Sequence, residues 1–124
     1  MKPADLAIYI VDDDSSVSGA LRRLVRSAGF MKVALFNSAE DFLKHAVLEG
    51  GCLLILDVLL PGKSGIELQQ HIRSSGLSAP VVFISAQEHQ LESARIQCPE
   101  ALAYLLKPFE GEELFEIIRL VSRN

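Results

Sequence analysis

Three kinds of side chain, at four places in this sequence, could act together on a phosphoryl group, and each place follows an apolar run. Asp12, Asp13 and Asp14 follow Leu6-Ala7-Ile8-Tyr9-Ile10-Val11, and Asp57 follows Cys52-Leu53-Leu54-Ile55-Leu56. Ser85 follows Val81-Val82-Phe83-Ile84, and Lys107, with Pro108 behind it, follows Leu102-Ala103-Tyr104-Leu105-Leu106. Carboxylates crowded at one partly desolvated rim repel, and their pKa values rise unless something compensates. Lys107 alone cannot neutralise Asp12, Asp13 and Asp57 together. Mg²⁺ would, because it takes carboxylate and carbonyl oxygens and retains waters beside a phosphate. A cation, an ammonium and a hydroxyl stabilise charge on a transferring phosphoryl group. A carboxylate can itself be the nucleophile and form an aspartyl phosphate. Asp57, standing alone after the most apolar segment, is the candidate acceptor. Asp12 and Asp13 are the candidate metal ligands, and Ser85 and Lys107 would take phosphoryl oxygens.

These residues need a scaffold that brings distant chain ends to one edge. The run over 6–11 has the continuous apolar character of a strand buried on both faces. Asp14, Ser15 and Ser16 offer helix caps, Val17, Leu21, Leu24, Val25 and Ala28 follow at helical spacing, and Gly29 stops the helix. Residues 32–36 read as a second strand. Ser38 with Asp41 resembles a capping box opening a helix to about residue 47, before Gly50-Gly51. Further strands are expected at 52–56, 80–84 and 102–106, and helices at 66–75, about 88–97 and around Leu114, Ile117, Ile118 and Val121. Five repeats of strand then helix imply a doubly wound α/β fold, a five-stranded parallel sheet with five helices on its two faces. Such sheets bind ligands at the carboxyl ends of their strands, which is where the four groups stand.

Composition narrows the function. With 124 residues, 49% of them apolar and 23% charged, the chain is expected to form one domain, 1–124, with a core of its own. A net charge of −4 argues against direct nucleic-acid binding and against an anionic membrane surface. No apolar run is long enough to span a bilayer, and Met1-Lys2-Pro3-Ala4-Asp5 does not open a signal peptide, so the expected location is cytoplasmic. Cys52 and Cys98 form no paired motif and read as reduced, partly buried thiols. His45, His71 and His89 lack ligand spacing and read as surface residues.

The segments I-V-D-D-D, L-I-L-D-V-L-L-P-G-K-S-G-I-E-L, V-F-I-S-A and Y-L-L-K-P-F, in that order, resemble the receiver domain of two-component response regulators over residues 4–123. Residues 57–68 and the S-A-E-D-F-L helix start are similar to the nitrogen-fixation type of regulator, whose receivers usually precede a DNA-binding domain. The resemblance implies the flavodoxin-like strand order 2-1-3-4-5. It implies that Asp57 is the phospho-acceptor, that Asp13 and Asp57 ligate Mg²⁺ directly with Asp12 acting through water, and that the Leu59 carbonyl is the third protein ligand. Lys107 matches the phosphate-pairing lysine, before a Lys107-Pro108 bond that is cis in the family. Ser85 matches the switch hydroxyl and Tyr104 the aromatic switch. A sensor histidine kinase would be the phosphoryl donor, and the face of the fourth helix, fifth strand and fifth helix would form the output, through homodimerisation or a DNA-binding partner domain. The chain would catalyse only its own phosphorylation and slow dephosphorylation. Apolar Leu59, at a position that tunes hydrolysis, supports the slow rate. Leu60 where Met is common, and Pro99-Glu100 where Ala-Gly is usual, are departures. A receiver standing alone and one cut from a longer transcription factor would read alike; the subgroup favours the second.

Other readings compete. A Mg²⁺-dependent phosphohydrolase commonly has a second acid two residues after its nucleophile, where this chain has Leu59. A flavin binder would need aromatic residues in loops that here are short and polar. Asp14 reads better as a helix cap than as a metal ligand. Tyr104 has an alternative as a core aromatic with its hydroxyl at the surface. Ser64 in G-K-S-G reads as loop composition, because the full phosphate-loop spacing is missing.

Overall fold

Strands β1 (Ala7–Val11), β2 (Lys32–Phe36), β3 (Cys52–Asp57), β4 (Val81–Ser85) and β5 (Ala103–Leu106) alternate with helices α1 (Ser15–Ser27), α2 (Ala39–His45), α3 (Gly65–Ser74), α4 (Glu88–Gln97) and α5 (Gly111–Ser122) in the computed structural model. The structure describes residues 2–48 and 50–122; Met1, Glu49, Arg123 and Asn124, and with them the outer limits of the expected domain, lie outside the described residues. All strand pairs are parallel, in the order β2-β1-β3-β4-β5. The expected doubly wound, flavodoxin-like topology is therefore the one observed.

The two-residue period of a strand divides each buried strand between two cores. Ile8, Ile10, Leu53, Ile55, Val82 and Ile84 pack with Leu21 and Val25 of α1 and Leu114 and Ile118 of α5. Val11, Leu54, Leu56 and Phe83 point the other way, toward Phe42 of α2, Leu68 and Ile72 of α3, and Leu91 and Ala94 of α4. Helices on both faces leave β3 buried at every position, which is why its sequence is apolar without alternation. Among the described residues no helix is long and apolar enough to cross a membrane.

Two helix boundaries differ from the sequence reading. The second helix ends at His45, not near Val47. Ser38 does accept the Asp41 amide, but the Asp41 carboxylate turns to Asn37 N and His45 Nδ1, so only half of the expected box forms. Beyond it the backbone is extended at Ala46, and the Tyr9 hydroxyl donates to the Val47 carbonyl at 2.7 Å. At α3 the reverse holds. Ser64 is not mere loop composition but the N-cap: its Oγ accepts the Glu67 amide at 3.1 Å, while Glu67 Oε1 accepts the Ser64 amide at 3.0 Å. The S-x-x-E spacing was the signal for that reciprocal box.

Candidate functional site

Strand period and strand ends together assemble the site. Asp12 continues the row of Ile8 and Ile10, Asp57 the row of Leu53 and Ile55, and Lys107 the row of Ala103 and Leu105, all on the α1/α5 side. Ser85 continues the row of Phe83 on the opposite side, the side of α4. The parallel register holds these ends level, and a cleft of about 430 Å³ opens between them. Asp12, Asp13, Asp57, Leu59, Ser85 and Lys107 all line it.

The Lys107 ammonium stands between two carboxylates, 2.8 Å from Asp12 Oδ2 and 2.9 Å from Asp57 Oδ2. The remaining oxygens are held by the backbone: Asp12 Oδ1 accepts the Asp14 amide at 2.9 Å and Asp57 Oδ1 accepts the Leu59 amide at 3.1 Å. Asp12 is 1% and Asp57 6% exposed, whereas Asp13 is open to solvent. Each of the three offers a carboxylate oxygen within 4.8 Å of the others. Asp14 Oδ1 is occupied by the Ser16 and Val17 amides and caps α1. The Lys107-Pro108 bond is cis.

Electrostatics bear on how well one lysine serves three acids. Burial pushes the Asp57 carboxyl above the ordinary range; the hydrogen bond from Lys107 pulls it back in part, and the charge of Asp12 pushes it up again. Burial works against the Lys107 ammonium, but its hydrogen bonds and attraction to Asp12 and Asp57 outweigh that and hold it above the usual range. The lysine is thus shared between two carboxylates, and Asp57 remains under-compensated. A hard cation with oxygen preference fits that donor set, with Asp12, Asp13 and Asp57 as the carboxylates available to it.

Ser85 is 1% exposed, and its Oγ accepts the Gln87 amide at 3.1 Å, which leaves its own proton to donate. Tyr104 does not line the cleft. It pairs with Phe83 across β4 and β5, and the two rings stack with centroids 6.0 Å apart. Its hydroxyl donates to the Cys98 carbonyl at the end of α4, and the Arg95 guanidinium lies 5.3 Å over its ring. Ser85 and Tyr104 thus share the α4 side of the sheet without touching the same groups. Cys52 and Cys98 are free and buried, and burial raises both thiols, which keeps them from acting as nucleophiles.

Gly65, the last residue of the G-K-S-G segment read as loop, opens α3 against the site. A Cβ there would lie 2.2 Å from the Asp57 carbonyl oxygen, so the first turn of α3 packs directly on the Asp57 backbone. The signal was a glycine immediately after the capping serine, where a side chain would ordinarily favour the helix.

The sequence profile of the response regulator receiver domain matches residues 8–119. The response regulator protein TmoT of Ectopseudomonas mendocina is 39% identical over 120 residues, covering 96% of this chain and 54% of that protein. The transcriptional regulatory protein DltR of Streptococcus agalactiae is 30% identical over 119 residues, 96% of this chain and 53% of DltR. The chain thus spans about half the length of these curated relatives. Among solved structures, FixJ-N superimposes with a TM-score of 0.83 at 28% identity, covering 97% of this chain and 95% of that one. TrrA of Thermotoga maritima, solved in complex with Mg²⁺-BeF, superimposes with a TM-score of 0.80 at 26% identity, covering 98% of this chain and 99% of that one. This chain belongs to the response regulator receiver domain family.

Proposed function

We propose that this receiver is the phospho-accepting switch of a two-component system, and that Asp57 takes the phosphoryl group of a sensor histidine kinase. The observation that carries the reading is the Asp57 carboxylate at the end of β3, a strand buried at all six positions, 2.9 Å from Lys107 and beside two further acids. Asp57 Oδ2, released by Lys107, forms a bond to phosphorus as the nitrogen–phosphorus bond of the donor's phosphohistidine breaks, and the imidazole leaves with the electron pair. Lys107 and the Ser85 hydroxyl then bind phosphoryl oxygens, and the Leu59 amide holds the other carboxyl oxygen. Mg²⁺, held by Asp13 and Asp57 with the Leu59 carbonyl and with Asp12 through water, would neutralise charge on the transferring group. Beside the cleft an apolar hollow between α1 and Phe109, lined also by Val17, Ala20 and Leu24, shares Ala86 and Lys107 with it. A donor protein seated there brings its phosphoryl group to Asp57.

The adduct adds about −1.5 to −2 charge beside Lys107. Ser85 moves toward it, and Tyr104 turns into the vacated space on the same side of the sheet, giving up its bond to Cys98. The face of α4, β5 and α5 thereby changes shape, favouring a homodimer and controlling a DNA-binding output domain. The transcriptional name of DltR supports that output, as does the chain's match to only about half of each relative. We read residues 1–124 as the receiver domain of such a regulator, cytoplasmic and without nucleic-acid contacts of its own. Leu59, 53% exposed at the rim, presents no polar group to orient attacking water, so the adduct is long-lived.

The test is incubation with acetyl phosphate and Mg²⁺ followed by intact mass. The expected result is a gain of one phosphoryl group by the wild-type chain and none by Asp57→Asn. No gain in the wild type, or an equal gain in the variant, overturns the reading.

A further inference from the structure

Residues 59–63, which connect β3 to the cap of α3, carry the Leu59 backbone and line the cleft through Leu59, Leu60 and Pro61. The ends of this connection are tied within the sheet and α3: the Val58 amide donates to the Ile84 carbonyl at 2.9 Å, and the Gly65 amide donates to the Val58 carbonyl at 3.0 Å. Between those ends the Leu59 amide is spent on Asp57 itself. Among the described residues, the hydrogen bond that ties 59–63 to an element other than β3 and α3 runs from Lys63 to Glu40, in the first turn of α2 and 23 residues away. Its Oε2 accepts the Lys63 amide at 3.1 Å. The carboxylate also lies flat against Gly62, whose φ is +71°; a Cβ there would sit 3.0 Å from Oε2 and 3.3 Å from Oε1. The connection thus brings its backbone into close contact with this carboxylate, at a glycine whose positive φ a side chain would strain. The hydrogen bonds of the Glu40 and Lys63 amides hold the carboxyl below its ordinary range, so it is ionised and accepts strongly at neutral pH.

We propose that Glu40 is a positioning residue for the metal site: it clamps the Gly62-Lys63 backbone and so fixes the segment that bears the Leu59 carbonyl. The inference rests on the phospho-acceptor reading above. Partners one step removed from a metal set ligand orientation and, through it, affinity. Loss of one charge-assisted hydrogen bond at an exposed site corresponds to about a three- to tenfold change.

The experiment is a MgCl₂ titration of the chain followed by amide NMR, with hydrogen exchange of the Lys63 amide measured on the same samples. Glu40→Ala is expected to weaken Mg²⁺ binding about three- to tenfold and to speed Lys63 exchange. Glu40→Gln keeps an acceptor but loses the charge, and is expected to stay within about twofold of wild type in both readings. Should Glu40→Ala unfold, Glu40→Asp, with the carboxylate withdrawn by one methylene, takes its place with the same expectation. Unchanged Mg²⁺ affinity in the Ala or Asp variant overturns the clamp and leaves the phospho-acceptor reading standing. An equal fall in Glu40→Gln and Glu40→Ala also overturns it, because the effect is then bulk charge. A wild-type chain whose Asp12, Asp13 and Asp57 amides ignore Mg²⁺ sinks the underlying reading as well.

Discussion

Helices α3 and α4 are both ten residues long and pack on the same side of the sheet, yet they are secured very differently. α3 opens on a complete capping box and buries Gly65, Ile66, Leu68, Gln69 and Ile72. The strand before it is buried at all six positions. α4 follows Gln87, which makes no side-chain cap, buries only Leu91 and Ala94, and leads into β5, none of whose four positions is fully buried. Asp57 stands on the first half and Tyr104 on the second. Chemistry on a phosphoryl group needs side chains held by a rigid surround. A readout needs two arrangements separated by only a few kcal/mol, which sparse burial permits. The difference between the halves is the one that the proposed switch requires.

The largest effect should come from truncating equivalent leucines in the two halves. Leu54→Ala, at a fully buried position of β3, is expected to cost about 3 kcal/mol. Leu106→Ala, where the residue is 42% exposed in β5, is expected to cost less than about 1 kcal/mol. Urea unfolding measures both, and equal losses would erase the contrast.

A smaller effect concerns an unfavourable feature of the stiff half. The Asp57 carboxyl is raised in the folded state by burial, with Lys107 offsetting this only in part and Asp12 adding to it. A raised folded value means that folding favours the protonated form. That stability is present below the unfolded value and lost as pH rises through the folded one. Near neutral pH, Asp57→Asn should therefore melt a few degrees above wild type without Mg²⁺. The gap should shrink as pH falls through the carboxylate range, and Mg²⁺ should narrow it by stabilising the wild type alone. A variant that melts below wild type at every pH contradicts the account.

The smallest effect tests the caps themselves. Ser64→Ala removes the acceptor for the Glu67 amide and should cost about 1 kcal/mol. Gln87→Ala removes no cap and should change stability by less than about 0.5 kcal/mol. Thermal melts resolve the two, and a larger loss at Gln87 would reverse the comparison.

Particular residues show where local reading succeeded and where it stopped. The strand ends carrying Asp12, Asp57, Ser85 and Lys107 were legible because an apolar run closed by a polar group is a local pattern. Asp14 as a cap was legible for the same reason, since its partners Ser16 and Val17 are neighbours in sequence. The end of α2 was not, because nothing local announces that Tyr9 will bond Val47 from 38 residues away. Gly65 was passed over because its need is set by the Asp57 backbone against it. Glu40 was passed over because a surface carboxylate in a first helical turn is ordinary until the Lys63 amide arrives.

By itself, the sequence determined which side chains end the strands, which segments are buried on both faces, and hence that the sheet is parallel and doubly wound. These follow from hydrophobic period and from groups adjacent in the chain. Only the tertiary structure decided that one ammonium serves Asp12 and Asp57 across separations of 95 and 50 residues, that Ser85 and Tyr104 face the same side, and that Glu40 closes on the loop. Contacts of that kind depend on register and on helix placement over the sheet, which are settled by packing of the whole core and not by any stretch of it.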